Sequence, residues 1–145
     1  MRWIVMLVLV TVAACKGDAT ASKECEATTN VVTTIVTPGT TPTFNWSAAC
    51  PVWMVLVENA DGHDEWYVAN ASSDTTTESN TIVPPVTYAV QPAGTNQNPA
   101  GPQPLHTDTL YYLVLWRVMP SAGATAGCRG AIRTLCLLGL RDFTP

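Results

Sequence analysis

From position 31 onward, short runs of β-branched and aromatic residues alternate with clusters of proline, glycine, asparagine and aspartate. No run keeps a helical period, and the 11 prolines of the chain argue against long helices. Pro38-Gly39 and Asp61-Gly62 are turn signals. The pattern predicts strands at residues 31–37, 41–47, 53–59, 65–69, 81–90, 109–119 and 134–143. The fifth strand contains the proline pair Pro84-Pro85, which should bend or interrupt that strand. Residues 70–80, 91–104 and 120–130 read as loops. About seven short strands at this spacing are typical of an antiparallel β-sandwich.

Two motifs resemble those of fibronectin type III domains, a class of immunoglobulin-like sandwich. Phe44-x-Trp46 is similar to the second-strand signature of the family, whose tryptophan lies in the core. Leu105-x-Thr107-x-Thr109-x-Tyr111 is similar to the family's alternating motif before the sixth strand, although Thr107 stands where the family has proline. The resemblance covers residues 31–145 and implies one domain, with Tyr111 bonding to upstream backbone as a tyrosine corner.

The first residues have the layout of a secretory signal. Arg2 precedes an apolar run over residues 3–12, and small residues follow. The run is shorter than the roughly 20 apolar residues that span a bilayer. Val12-Ala13-Ala14-Cys15 resembles the bacterial lipobox, which implies cleavage before Cys15. The alternative is a buried N-terminal strand with an incidental cysteine.

The lipobox resemblance implies acyl chains on Cys15 and a permanent tether in the cell envelope. In some bacteria, an aspartate directly after the lipidated cysteine retains a lipoprotein in the inner membrane. Lys16 occupies that position here, which favours the outer membrane. Residues 15–30 are polar and rich in small residues, as expected of a flexible linker. Removing 14 of 145 residues leaves 131, enough for one domain with a core.

The other four cysteines form an even set in an exported chain, which favours two disulfides. A zinc site is the competing use, but no C-x-x-C pair is present. The sandwich places all four at one end, and locality favours Cys25–Cys50 and Cys128–Cys136 over the two other pairings.

Candidate chemistry is sparse. His63 lies in a charged hairpin turn and His106 in a loop, and neither has a metal-binding spacing. Nucleophile and phosphate-loop motifs are absent from the sequence. The formal net charge of −4 gives no basic footprint for nucleic acid. The sequence therefore predicts neither an enzyme, nor a metal site, nor a cofactor.

Strands over residues 53–59, 109–119 and 134–143 are apolar on both faces, and charged residues make up only 12% of the chain. A sheet with one face in water should alternate apolar and polar residues. In a fibronectin-like sandwich these strands are neighbours, so their outer faces predict one apolar patch. The residues expected to contact a partner are Trp53, Val55, Tyr112, Val114 and Trp116. The alternative is that the linker or one of the long loops covers this face.

Two functions follow as expectations. The first is a lipid-anchored, non-enzymatic module that packs this sheet on another envelope protein or on itself. The second is a glycan or small-ligand site at the loop end, near Trp53 and residues 120–130.

Overall fold

The computed structural model of the chain describes residue 25, residues 34–119, residues 129–132 and residues 135–145. Within these ranges the protein contains nine strands, two short 3₁₀ turns and no α-helix. The strands are β1 (Thr34–Val36), β2 (Thr43–Trp46), β3 (Met54–Asn59), β4 (Asp64–Asn70), β5 (Val86–Thr87), β6 (Thr95–Asn98), β7 (Tyr111–Val118), β8 (Arg129–Ile132) and β9 (Leu135–Phe143).

The strands form two sheets. The smaller sheet has the order β1-β2-β5, and the larger has the order β6-β4-β3-β7-β9-β8. Every strand pair is antiparallel. The predicted all-β antiparallel sandwich is therefore confirmed, and its strands β3, β7 and β9 are neighbours as expected.

The core lies between the two sheets, where alternate residues of each strand meet. Phe44 and Trp46 of β2 face inward, and Asn45 between them is exposed. Trp66 of β4 and Tyr88 pack with ring centroids 5.3 Å apart, and neither side chain is more than 2% exposed. These large buried side chains supply much of the apolar area that holds the sheets together.

Two elements differ from the sequence prediction. The loop predicted at residues 91–104 contains β6, which pairs with β4 along the sheet edge. Its sequence Thr-Asn-Gln-Asn carries no apolar signal because an edge strand has little area to bury. The loop predicted at residues 120–130 reaches into β8, and residues 120–128 lie outside the described ranges.

The strand predicted at residues 81–90 is broken by its prolines, as expected. Ile82 forms a single bridge with Val52, and only Val86 and Thr87 pair with β2. Pro84-Pro85 between them is a cis peptide bond, and proline cannot donate to a ladder. Within a few residues, the chain thus pairs first with Val52, just before β3, and then with β2 of the smaller sheet.

The predicted bridge between Cys25 and Cys50 is present, with Cα atoms 5.6 Å apart. Cys136 is also disulfide-bonded. Its predicted partner, Cys128, lies outside the described residues, as do the predicted leader over residues 1–14 and the lipid site Cys15.

Both residues given structural roles by the fibronectin resemblance lie in the core. The Trp46 indole is 3% exposed, and its Nε1 donates to the Cys50 carbonyl oxygen at 2.8 Å. Tyr111 is 2% exposed, and its hydroxyl accepts a hydrogen bond from the His106 backbone N–H at 3.1 Å. This bond ties the loop before β7 to the start of that strand.

Candidate interaction surface

The outer face is the side of the six-stranded sheet that points away from the three-stranded sheet. Antiparallel pairing places residues of neighbouring strands side by side, so this face is built from rows that run across the strands. The central row contains Tyr67, Leu56, Val114 and Leu140. The apolar row, two residues away along each strand, contains Ala69, Met54, Trp116 and Leu137.

On the other side of the central row lies the acidic row. It contains Asp64, Glu58, Tyr112 and Asp142, one from each of the same four strands. Burial raises the pKa of the Glu58 carboxyl, and the nearby Asp64 carboxylate raises it further. Both effects disfavour the charged form of Glu58. A cation brought to this row would relieve that repulsion.

Exposure along the outer face is uneven. Leu56 and Val114 in the central row are only 6% and 5% exposed. Met54, Tyr67, Tyr112, Trp116 and Leu137 around them are half-buried. Leu140, at the end of the central row, is 59% exposed. The area available to a partner is therefore a ring of aromatic and long apolar side chains around a filled centre.

Two of the predicted contact residues do not lie on this face. Val55 is fully buried in the core, because β3 turns it inward opposite Leu115. Trp53 continues the β3 ladder, since its backbone N–H donates to Trp116. Strand alternation therefore places Trp53 on the same side of the sheet as Val55. Naming both as contacts for the outer face was wrong.

The other three predicted contacts do lie on the outer face, but they differ in accessibility. Tyr112 and Trp116 are half-buried and available to a partner. Val114 is between them in sequence and offers little surface at 5% exposure.

Sequence reasoning missed Leu140 as a neighbour of Leu137 on this face. Simple alternation puts residues three apart on opposite faces. The pairing of β7 with β9 shifts between Leu115 and Trp116, which leaves Leu138 as an extra residue. Gly139 next to it was the available signal, because a glycine inside a strand often marks a bulge.

The outer side of the three-stranded sheet provides a contrast. Its strands β2 and β5 place Thr43 beside Thr87, with hydroxyl oxygens 3.0 Å apart. Asn45 on the same side is exposed. On β2 and β5, this side shows the apolar-in, polar-out alternation of a solvated sheet. The apolar rows of the larger sheet therefore have no counterpart on these two strands.

A buried indole N–H and a guanidinium lie near the start of β3, at the loop end of the sandwich. The Trp53 indole Nε1 is buried and has no hydrogen-bond partner among the residues that the structure describes. The guanidinium of Arg117, on the neighbouring strand, donates to the carbonyl oxygen of Pro51. Because a buried N–H without an acceptor costs free energy, this indole N–H could donate to the oxygen of a ligand bound at that place.

Neither histidine is near a constellation that could perform chemistry. His63 and His106 are both exposed. Asn59 organises the turn around His63 by accepting hydrogen bonds from the backbone N–H groups of Asp61 and His63, each at 3.0 Å. Among the described residues, no group of three or more histidine, cysteine, aspartate or glutamate side chains could hold a metal ion. The part of the chain that the structure describes also contains no helix long and apolar enough to cross a membrane.

The described residues define an all-β antiparallel sandwich that is compatible with an immunoglobulin-like or fibronectin type III-like fold. Comparison of the chain with protein-family models, curated proteins and solved structures found no match.

Proposed function

We propose that this protein is a lipid-anchored lipoprotein of the bacterial cell envelope whose fibronectin-like sandwich is a non-enzymatic protein-interaction module. The observation that carries the proposal is the asymmetry between the two sheets. The larger sheet presents Tyr112, Trp116 and the exposed Leu140 on its outer face, whereas strands β2 and β5 of the smaller sheet present threonine and asparagine on theirs.

The anchor is supported by the sequence of the leader. Arg2, the apolar run over residues 3–12 and the lipobox-like Val12-Ala13-Ala14-Cys15 stand in the order of a lipoprotein signal. Several acyl chains on Cys15 would hold the chain at a membrane stably, and residues 15–30 would act as a linker.

The contact side chains are of the types that contribute most to binding. Tyrosine and tryptophan are enriched among residues whose truncation weakens protein interfaces. On the outer face, half-buried Tyr67, Tyr112 and Trp116 surround aliphatic side chains that are already packed. A partner would need to desolvate only the accessible side chains around this packed centre, at a small cost in side-chain entropy.

Site-specific photocrosslinking of the full chain in native membranes tests the proposal. A photoreactive amino acid replaces Trp116 or Leu140 on the outer face of the larger sheet. In matched variants, the same amino acid replaces Asn45 or Thr87 on the outer side of the three-stranded sheet. We expect protein adducts from the first pair and none above background from the second. Equal adducts from both faces would contradict an interface on the larger sheet.

The second candidate function is binding of a glycan or small ligand at the loop end. The buried indole N–H of Trp53, for which the described part of the chain supplies no acceptor, favours it. Binding of a glycan that accepts this hydrogen bond should change tryptophan fluorescence, and the change should be lost in Trp53→Phe. A signal that persists in Trp53→Phe would exclude this tryptophan as the site.

A further inference from the structure

The N-terminal segment is attached to one end of the sandwich, which we call the entry end. Thr34, the first residue of β1, pairs with Trp46, the last residue of β2. The disulfide joins Cys25 to Cys50 at the same end, and both cysteines are buried. The hydrogen bond from the Trp46 indole to the Cys50 carbonyl oxygen holds Cys50 close to β2. The strand and the disulfide therefore bind the incoming chain at one place.

The disulfide shortens the tether between Cys15 and the sandwich. The chain reaches Cys25 ten residues after Cys15, whereas β1 begins at Thr34, nineteen residues after Cys15. Fully extended, these lengths span at most about 35 Å and about 65 Å. The ends of a flexible ten-residue segment lie on average about 18 Å apart. Residues 26–30 of the predicted linker therefore add nothing to the reach while the disulfide is closed.

The larger sheet is nearly as long as the extended tether. At the entry end Trp116 pairs with Met54, and at the opposite end, the far end, Tyr111 pairs with Asn59. The eight residues of β7 run between the two ends and span about 27 Å. To bring the far end to a membrane, the tether would have to run back along the whole sheet. Because this stretches a flexible segment close to its limit, it costs conformational entropy.

Charge is distributed unequally between the two ends. Six of the eight carboxylates on described residues lie at the far end, in the strand ends and loops around the β3–β4 hairpin. The six are Glu58, Asp61, Asp64, Glu65, Asp108 and Asp142, and the other two are Asp74 and Glu78. One arginine accompanies each set, Arg141 at the far end and Arg117 at the entry end. A surface that carries anionic lipids repels carboxylates, so the far end is the less favourable one to place against it.

We infer that the Cys25–Cys50 disulfide holds the sandwich with its entry end toward the membrane and its far end away from it. This inference rests on the proposed lipid anchor at Cys15. Tether length and charge favour the same orientation. On the outer face, the apolar row with Met54 and Trp116 is then nearest to the bilayer, and the acidic row is farthest from it. A partner of the apolar row is therefore met close to the membrane surface.

Energy transfer to the membrane tests the orientation. The full, lipidated chain is reconstituted in vesicles of phosphatidylethanolamine and phosphatidylglycerol that contain a headgroup-labelled acceptor dye. A fluorescent amino acid replaces Ala71 near the entry end or Ala60 in the far hairpin, two alanines that are both exposed. We expect transfer from position 71 to exceed transfer from position 60 roughly twofold, because about 27 Å of sheet separates the two ends.

Two matched insertions test the role of the disulfide. A glycine-serine segment of about ten residues between Ala21 and Ser22 doubles the tether and should raise the distance obtained from position 71 about 1.4-fold. The same segment between Asn30 and Val31 lies beyond Cys25, so it should leave that distance unchanged. In the Cys25→Ser/Cys50→Ser variant, both insertions should increase the distance. Resistance to protease shows whether this variant folds, and the comparison of the two insertions in the disulfide-bonded chain does not depend on it.

Each possible failure has its own meaning. Equal transfer from positions 60 and 71 would overturn the orientation and leave the anchor standing. An insertion between Asn30 and Val31 that acts as strongly as the one between Ala21 and Ser22 would overturn the disulfide as the end of the tether. A chain that does not stay with the vesicles would overturn the proposed anchor and the inference together.

Discussion

Several polar side chains in this protein are buried because each forms a specific hydrogen bond to backbone. Tyr111 accepts from His106, and the Tyr88 hydroxyl donates to the Gln103 carbonyl oxygen at 2.9 Å. Both tyrosines lie in the core with only 2% of their surface exposed. Each ring contributes apolar area to the core. Each hydroxyl fixes part of the segment between β5 and β7, residues 88–110, in place.

Replacing Tyr111 with phenylalanine should lower the free energy of unfolding by about 1 kcal/mol, because the His106 N–H loses its acceptor. The ring and its packing remain, so the loss reports the hydroxyl alone. Chemical denaturation measures it. Tyr112→Phe is the matched control on the outer face, and we expect it to unfold as the parent does. Equal stability of both variants would mean that the corner bond contributes nothing.

Tyr88 gives the fold a dependence on alkaline pH. Burial raises its pKa to about 12, with smaller contributions from Glu65 and Tyr111. In the unfolded chain the pKa is about 10. Between these values the unfolded state releases the proton that the folded state keeps, so stability falls as pH rises from about 10 to about 12.

Unfolding measured across this range should show the fall in the parent and a smaller fall in Tyr88→Phe. Tyr67→Phe removes a phenolic hydroxyl from the outer face and should leave the contribution of Tyr88 to the fall in stability unchanged. If Tyr88→Phe and the parent lose stability equally, the titration belongs to other groups.

At the scale of elements, the hydrophobic pattern identified the strands that bury an inward face. Residues 53–59 and 109–119 contain β3 and β7, whose alternation into the core is clear from Val55, Val57, Leu113 and Leu115. The pattern could not identify β6, since a polar edge strand is held by backbone pairing and by the Trp66–Gln97 hydrogen bond. Periodicity reports burial, and such a strand buries little.

The outer face was predictable only in part for a related reason. Apolar residues on both faces of three neighbouring strands predicted a patch, and Tyr112 and Trp116 do lie on it. Assigning individual residues needs the register, which the sequence does not show. Val55 lies in the core, and the irregular pairing at Leu138 places Leu140 beside Val114. A one-residue shift in register changes the face of every later residue.

The loop between β4 and β5 is attached to the larger sheet by Asn80, a link that sequence reasoning also missed. Its side chain accepts from the Val118 N–H and donates to the Val118 carbonyl oxygen, both at 2.8 Å. Asn80 also donates to the Thr77 carbonyl oxygen at 2.9 Å. The amide thus takes the place of a neighbouring strand at the end of β7.

Asn80→Asp should therefore destabilise the protein by about 3 kcal/mol, since two donated bonds are lost and a carboxylate faces carbonyl oxygens. Denaturant unfolding provides the measurement. Asn96→Asp makes the same chemical change on exposed β6 and should have little effect. A comparable loss in both variants would point to general charge repulsion in this acidic chain.

At the scale of the whole molecule, the outer face of the larger sheet carries aromatic and aliphatic side chains, whereas β2 and β5 of the smaller sheet are polar on their outer side. The proposed membrane anchor and the proposed interaction module make a connected demand on this arrangement. A small patch associates weakly in solution, so anchoring is what would make a contact persist. The linker over residues 15–30 must then leave the outer face free to meet a partner.

The anchor itself gives the last prediction. We expect the mature protein to lack residues 1–14, to carry acyl chains on Cys15 and to stay in the membrane fraction after washing with high salt. Salt removes proteins held by charge, because it screens them, whereas several acyl chains hold by burial of hydrocarbon. Cys15→Ser should accumulate as uncleaved precursor with Met1 present. Mass spectrometry of both forms provides the measurement, and Ser22→Ala within the linker is the matched control, expected to be processed as the parent is. An unmodified Cys15 in the membrane fraction would contradict the anchor, and with it the local concentration that would let a small interaction surface act.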